Sequence, residues 1–193
     1  MTIAIPDEPT ATPTTGRDGH WARKLARLRA RQLPEQVLQL CDDMAAKQRL
    51  DRAKLNVARL RLADAEAAGE QQELEAAETE LVAAQSAFDE VSLLLTFRAL
   101  PRPALDVLIR SHPPTEEQAE DGDSWNPTSF PAALVSAAHV ERDDDGHEVE
   151  GMTVPEAQDL LDGWPIAESN SLFAAAWQAQ QINRATVSEV GKG

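Results

Sequence analysis

A heptad pattern between residues 74 and 95 constrains the fold of this chain more than any other feature. Apolar residues recur there at alternating steps of three and four, which places them on one face of an α-helix. No proline or glycine interrupts the span. The pattern predicts one helix of a coiled coil, with a seam formed by Leu74, Ala77, Leu81, Ala84, Phe88, Val91 and Leu95.

A second helix is predicted upstream, from about Pro34 to Ala67. Its seam comprises Leu33, Val37, Leu40 and Met44, followed in a different phase by Leu50, Val57 and Leu60. Gly69 is the only helix breaker between residues 35 and 100. We therefore expect an antiparallel α-hairpin that turns at Ala67–Glu70, with arms about 40–50 Å long. One continuous helix is the alternative, because a single glycine costs a helix only about 1 kcal/mol.

Prolines end the heptad pattern and begin a smaller C-terminal segment. Pro101 and Pro103 stop the helix, and Pro103 opens a new one that directs Leu105, Leu108 and Ile109 inward. An acidic loop containing Trp125 is expected at 113–129. A helix is expected in TSFPAALVSAAHV, with Ser129 near its cap, and a polar turn or hairpin in ERDDDGHEVEG. A further helix is expected in TVPEAQDLLDG, with Thr153 and Glu156 as a capping box. The last helix should run from Pro165 to about Asn183, with Ile166, Phe173 and Trp177 along one stripe.

The predicted fold class is mainly α: a long antiparallel α-hairpin, or coiled-coil arm, followed by a small α-helical C-terminal lobe. Aromatic residues are few, with four Trp, four Phe and no Tyr, which indicates that the compact core is small. The aromatic residues expected in that core, with a partner groove as the alternative, are Trp125, Phe130, Trp164, Phe173 and Trp177. The expected segments are a flexible tail at 1–16, a short basic amphipathic helix at 17–32, the hairpin at 33–98, an acidic helical lobe at 99–184 and a frayed tail at 185–193.

Charge is unevenly distributed along the chain, whose formal net charge is −15. Residues 111–193 contain sixteen acidic and three basic residues, a composition that repels nucleic-acid phosphates and anionic lipids. Residues 17–31 have the opposite sign, with six cations and one aspartate. Within that basic segment, Trp21, Leu25 and Leu28 recur at i, i+4 and i+7 and form one apolar stripe.

Two sets of residues are therefore candidates for partner binding. They are Trp21, Leu25, Leu28, Arg23 and Arg27 on the basic helix, and Leu74, Leu81 and Phe88 on the heptad seam. The basic helix has three alternatives: packing on the acidic surface of the same chain, solvation, or binding to nucleic acid or an anionic membrane. The seam can pair within the hairpin, with a second copy or with a partner protein.

No catalytic, metal or cofactor site is expected. The string ERDDDGHEVEGM places Glu141, Asp143 and Asp145 at ligand positions of a calcium loop, but its last position is Met152 instead of a bidentate carboxylate. The four histidines lack zinc-ligand spacing. Cys41 lies beside the predicted seam, where a thiol packs as a small hydrophobe. We therefore expect a protein that is not an enzyme.

The chain is also expected to be soluble and intracellular. No stretch approaches the roughly 20 apolar residues of a membrane span. The N-terminal sequence MTIAIPDEPTATPTTG lacks the early basic residues and apolar core of a secretory signal. Cys41 is the only cysteine, which is consistent with a reducing compartment.

Ordered blocks within residues 91–183 resemble a known family. The blocks are LTFRALPRPALDVLIRSHPP, WNPTSFPAALVSAAHVE, TVPEAQDLLDGW and LFAAAWQAQQIN. In this order they resemble the tail assembly chaperones of siphophages that infect actinobacteria, which similarly have an ALPR motif, a proline after the first helix and an FPxAL helix. The resemblance covers about half of the chain and does not include the heptad arm or the basic helix.

This resemblance implies a protein of the host cytoplasm that acts during virion assembly. Such chaperones bind and solubilise the tape measure protein and help recruit tail tube subunits, so neither nucleic acid nor membrane is an expected partner. The family typically makes a longer product by −1 ribosomal frameshifting, and Val190, Gly191 and Lys192 permit the slippery heptamer GGGAAAG. The alternative is a structural coiled-coil virion component or adaptor that remains in an assembly.

Overall fold

The structure of the chain, a computed structural model, describes residues 16–62 and 68–186. The chain divides into two compact units, Met1–Leu33 and Pro34–Gly193. The first unit contains helix α1 (Gly16–Arg29), which corresponds to the predicted basic helix. The predicted tail at 1–16 lies outside the described residues except for Gly16, and so does the predicted tail at 185–193 from residue 187 onward.

The described part of the second unit is mainly helical, as predicted, but it also contains a small antiparallel sheet that was not predicted. Its elements are β1 (Glu35–Leu40), α2 (Met44–Leu62), α3 (Ala68–Glu90), β2 (Leu93–Arg98), α4 (Arg102–Ser111), α5 (Glu116–Glu120), α6 (Phe130–Ala138), β3 (His139–Arg142), β4 (Glu148–Val149), α7 (Val154–Gly163) and α8 (Ile166–Gln181).

Two segments predicted as ends of the helical arms are strands, so this part of the prediction is wrong. β1 replaces the beginning of the first predicted arm, and β2 replaces the end of the second. They pair antiparallel, with Glu35 opposite Arg98 and Leu40 opposite Leu93. The steps between Val37, Leu40 and the residues around them fit a heptad, but a short apolar run fits a strand equally well. Tertiary pairing decides between the two.

The two helices between these strands are shorter than the predicted arms. α2 has 19 residues and α3 has 23, or about 28 and 34 Å at 1.5 Å per residue. Of the predicted turn at Ala67–Glu70, residue 67 lies outside the described residues and the other three belong to α3. Cys41 was expected in a helix, but it lies between β1 and α2, and its Sγ is 3.6 Å from the carbonyl oxygen of Asp43.

The sheet joins the predicted arm to the predicted lobe. The strand order is β1-β2-β3-β4, and β2 pairs with β3 through Thr96 opposite Val140 and Phe97 opposite His139. The predicted boundary between residues 98 and 99 therefore falls inside one unit. β3 and β4 form the hairpin expected in ERDDDGHEVEG, and Gly146 adopts a φ of +80° in its turn, where a side chain would be strained.

Helix α6 lies at the centre of the core. It contacts α4, α7, α8 and β2, while α8 also covers β1 and β2. Because α6 has neighbours on several sides, it buries most of its circumference, and its buried residues are Phe130, Ala132, Ala133, Leu134, Val135 and Ala138. Buried alanines on α7 and α8 allow the three helices to approach closely.

Aromatic side chains fill the rest of this core, as predicted. Trp125, Phe173 and Trp177 all pack against the buried ring of Phe130. Ile166 was expected on the same inward stripe, but it is 80% exposed at the start of α8. The end of α7 contacts this part of α8 through the hydrogen bond from Ser169 Oγ to the carbonyl oxygen of Leu161, but Ile166 lies outside that contact.

Capping residues were predicted with mixed success. Thr153 and Glu156 form the predicted capping box of α7. Ser129 occupies the N-cap position of α6, but its hydroxyl lies 2.9 Å from Nδ1 of His112 and does not cap the helix. The predicted acidic loop contains a short helix, α5, whose capping box of Thr115 and Gln118 went unrecognised.

Candidate partner-binding surfaces

The basic helix α1 carries five of the candidate partner-binding residues. Trp21 and Leu28 are exposed, and Leu25 between them is half-buried. Arg23 and Arg27 are both exposed. The helix therefore has the amphipathic, cationic character that the sequence predicted, and a role for these residues in binding stays a prediction.

The heptad seam of α3 packs against α2 of the same chain. A buried cluster joins the two helices and consists of Leu50, Ala53 and Ala84. Leu81 and Phe88 pack against this cluster, and Leu74 near the start of α3 is half-buried. These three candidate residues thus already have neighbours, so a partner would contact only their remaining exposed surface. Their role in partner binding stays a prediction.

Ion pairs connect the facing sides of α2 and α3. Arg49 Nε donates to Glu80 Oε1 at 2.8 Å, and Arg61 Nη2 donates to Glu78 Oε1 at 2.7 Å. The hydrogen bond from Arg49 lowers the pKa of Glu80 below its ordinary value. Solvent screens exposed pairs of this kind, so they contribute little to stability and mainly favour one alignment of the two helices.

The outward sides of the same helices expose large apolar residues. Leu55 on α2 and Val82 on α3 are each 70% exposed. Val82 borders a shallow groove of about 710 Å³ that is lined by Lys54, Leu81, Val82, Gln85, Ser86, Asp89 and Glu90. The α2–α3 pair therefore buries one apolar seam and presents further apolar surface beside charged groups.

A second feature is an ion cluster on the sheet, with one residue from each strand. Residues opposite each other on antiparallel strands share a face, so Glu35 and Arg98 lie on one face, and Arg142 and Glu148 form a second such pair. Arg98 Nη2 and Arg142 Nη2 each donate to Glu35 Oε1 at 2.7 Å. Arg98 also donates to the carboxylate of Glu148.

The charges in this cluster stabilise one another. Burial alone would raise the pKa of Glu35, but hydrogen bonds from Arg142 and Arg98 outweigh that effect and lower it. The pKa of Glu148 is lowered by its hydrogen bond from Arg98. Because Glu35 lies on β1 and Glu148 on β4, the cluster connects the two outer strands of the sheet.

In the turn between β3 and β4, the carboxylate of Asp143 has a structural role. Asp143, Asp145 and His147 place ligand-type atoms within 4.8 Å of one another, all on exposed side chains. Asp143 Oδ1 accepts the backbone N–H groups of Asp145 and His147, at 3.1 and 2.8 Å. These bonds are those of a tight polar turn, and the expectation of no metal site stays a prediction.

His139 is a buried polar residue that the sequence did not reveal. Its side chain is 4% exposed, and Nδ1 accepts the backbone N–H of Met152 at 3.0 Å. A neutral ring therefore carries its proton on Nε2, which lies 3.6 Å from a carboxylate oxygen of Glu141. Burial lowers the pKa of His139. Gly151 approaches closely: a Cβ there would lie 3.0 Å from Nδ1 and 3.2 Å from the carbonyl oxygen of His139, so the ring or the backbone would have to shift by a few tenths of an ångström.

Comparison with known protein families, curated proteins and solved structures gives no match for this chain. Within the described residues, no helix is long and apolar enough to cross a membrane. The sequence blocks that resemble tail assembly chaperones fall on β2 with α4, on α6, on α7 and on α8. They thus coincide with the elements that build the core.

Proposed function

We propose that this chain is a tail assembly chaperone of an actinobacterial siphophage. In this role it binds the long helical tape measure protein in the host cytoplasm, keeps it soluble and helps recruit tail tube subunits. The resemblance of the blocks within residues 91–183 supports the family assignment. The finer arrangement that we propose is an antiparallel coiled-coil arm, formed by α2 and α3, as the surface that contacts the client.

The observation that carries this proposal is that α2 and α3 each expose a large apolar residue on the side turned away from the other helix. Leu55 and Val82 are each 70% exposed, although the inner seam between the helices is already packed. An amphipathic client helix binds by laying its apolar face on exposed apolar residues of this kind, and Val82 lines a groove together with Leu81. The pair is already associated, so little ordering would be required of it when a client binds.

The charge distribution supports the same role. A tape measure protein in complex with this chain would acquire the strongly acidic segment 111–193, and net charge of one sign keeps proteins in solution. The cationic helix α1 offers a surface for an acidic partner, and Arg23 and Arg27 are exposed on it.

Co-expression with the tape measure protein of the same phage tests this proposal. We expect the chain to increase the soluble fraction of the tape measure protein several-fold. The double variant Leu55→Glu with Val82→Glu should lose most of that increase. The matched control, Ile166→Glu with Val107→Glu, adds the same charges at exposed apolar positions outside the arm and should keep it. Equal solubility with and without the chain would contradict the proposal.

The composition of finished particles separates the chaperone from a structural coiled-coil adaptor. A chaperone is absent from purified virions, whereas an adaptor is present at a fixed stoichiometry. The coding DNA gives an independent test: codons 190–193 should contain the heptamer GGGAAAG with an open −1 frame beyond it. A coding sequence at which the ribosome cannot slip would remove frameshifting as support for the chaperone family.

A further inference from the structure

We propose that the outer edge of β1 pairs with the same edge of a second copy of this chain. The strand is terminal in the order β1-β2-β3-β4, so one of its edges pairs with β2 and the described residues place no strand on the other. At the opposite end of the sheet, β4 has only two residues. β1, with six residues, is therefore the edge long enough to extend the sheet.

The ladder shows which backbone groups of β1 point outward. The N–H of Ala99 donates to the carbonyl of Pro34 at 2.9 Å, directly beyond the pair of Glu35 with Arg98. Because hydrogen-bonded pairs alternate along an antiparallel ladder, Gln36, Leu38 and Leu40 bond to β2. The N–H and C=O groups of the residues between them, Glu35, Val37 and Gln39, point to the open edge.

The direction of the Val37 carbonyl is consistent with this assignment. It accepts a long hydrogen bond of 3.4 Å from the side chain of its neighbour Gln36, so it is directed away from β2. Natural proteins usually protect such an edge with lysine, proline, a bulge or a very short strand. The stretch QVLQL, residues 36–40, carries no charge and no proline. The charge of Glu35 is engaged by Arg98 and Arg142.

A second copy is the partner that this edge fits best. A two-fold axis at Val37 pairs that residue with itself and pairs Glu35 with Gln39 of the other copy. All of these positions point outward, so each pair exchanges two hydrogen bonds. The axis also places each Glu35 carboxylate beside a neutral amide, whereas an axis at Glu35 would bring two carboxylates together. Copies with a net charge of −15 approach most readily at an uncharged edge.

Apolar side chains flank the proposed axis. Val37 is 49% exposed, and Leu94, opposite Gln39 on the same face, is 60% exposed. Two such edges would form one continuous eight-stranded sheet and cover part of this surface. A six-residue edge buries less than a standard interface of about 1,600 Å², so the dimer should be weak, with a Kd in the micromolar range. The inference is independent of the chaperone function.

Sedimentation velocity of the full chain over a hundredfold concentration range tests the proposal. We expect a reversible monomer–dimer equilibrium. Val37→Pro removes an outward N–H without removing a bond to β2, and Val37→Lys places two like charges at the axis. Both variants should weaken the dimer at least tenfold. Val107→Lys, the matched control, adds the same charge at an exposed apolar position on α4 and should shift the Kd no more than threefold.

Far-UV circular dichroism and thermal melting establish whether each variant is folded. If Val37→Pro does not fold, Val37→Lys alone tests whether the dimer forms through the edge of β1. A wild-type chain that stays monomeric over the whole range would overturn the proposal. So would a dimer that both Val37 variants retain, because it would have to form through another surface such as α2–α3. Equal loss in Val107→Lys and Val37→Lys would also overturn the proposal, because a charge added away from the edge would then weaken the dimer as much as a charge at the axis.

Discussion

Replacing Phe130 by alanine should remove the centre of the hydrophobic core. The side chain is fully buried at the start of α6. Its ring centroid lies 4.9 Å from that of Trp125, 6.1 Å from Trp177 and 6.3 Å from Phe173. The imidazole of His112 lies 6.4 Å away. One truncation therefore affects residues from the segment after α5, from α6 and from α8.

The expected loss follows from burial and from these ring contacts. Truncating a buried Phe to Ala costs about 3–5 kcal/mol in total. We expect about 4 kcal/mol, the middle of this range, which is a factor of about 10³ in the ratio of folded to unfolded chains. Phe130→Leu keeps much of the volume and should cost about 1–2 kcal/mol.

Urea unfolding followed by tryptophan fluorescence measures both losses, because Trp125 and Trp177 contact the substituted ring. Ile166→Ala is the control: it truncates an apolar residue that is 80% exposed and should change the free energy of unfolding by less than about 0.5 kcal/mol. A loss below about 1 kcal/mol for Phe130→Ala at unchanged urea dependence would refute the reasoning, since it would mean that α6 is not the centre of the core.

Three further predictions concern single residues. Burial lowers the pKa of His139, so its contribution to stability is complete above the unfolded pKa near 6.5 and declines as the pH falls below that value. The free energy of unfolding should therefore be lower at pH 5.5 than at pH 7.5. This difference should be smaller in His139→Gln than in the control variant His147→Gln, which replaces an exposed histidine and keeps His139. Ala157→Leu adds volume to a fully buried position on α7 and should cost about 1–3 kcal/mol in urea unfolding, and an unchanged midpoint would contradict the close helix packing. Thr153→Ala removes the capping box of α7 and should cost about 1 kcal/mol, whereas Thr153→Ser should keep most of it.

The C-terminal part of the fold was largely readable from the sequence, because its signals are local. Prolines, the Thr153 capping box and the apolar stripe with Phe173 and Trp177 place α4, α6, α7 and α8 close to their observed positions. The aromatic core was predicted for the same reason. Ile166 was an error because periodicity alone does not show how far toward the end of a helix the packed stripe extends.

The strands were missed because their signal is not local. Val37 and Leu40 fit a heptad step as well as an alternating strand, and LLLTF in β2 continues the apolar phase of α3. Only the pairing of β1 with β2, more than 50 residues apart, selects the strand. The ion cluster of Glu35 with Arg98, Arg142 and Glu148 depends on that pairing and could not have been found from spacing.

The candidate surfaces were predicted to different degrees. The cationic character of α1 follows directly from its composition, because five cations and Trp21 lie within this one short helix. The seam residues Leu81 and Phe88 were recognised, but their neighbours in α2 were left open because one sequence does not specify a pairing partner. The exposed positions Leu55 and Val82 lie off the seam, and only a structure shows that nothing among the described residues covers them fully.

The most direct test of the chaperone proposal is affinity purification of the tagged chain from infected cells during tail assembly, with quantitative mass spectrometry of everything it retains. We expect the tape measure protein to be the main partner, Leu55→Glu with Val82→Glu to reduce its recovery sharply, and the chain itself to be absent from finished virions. Recovery of the chain in virions at fixed stoichiometry, without enrichment of the tape measure protein during assembly, would show that the chain is a structural component instead of a chaperone.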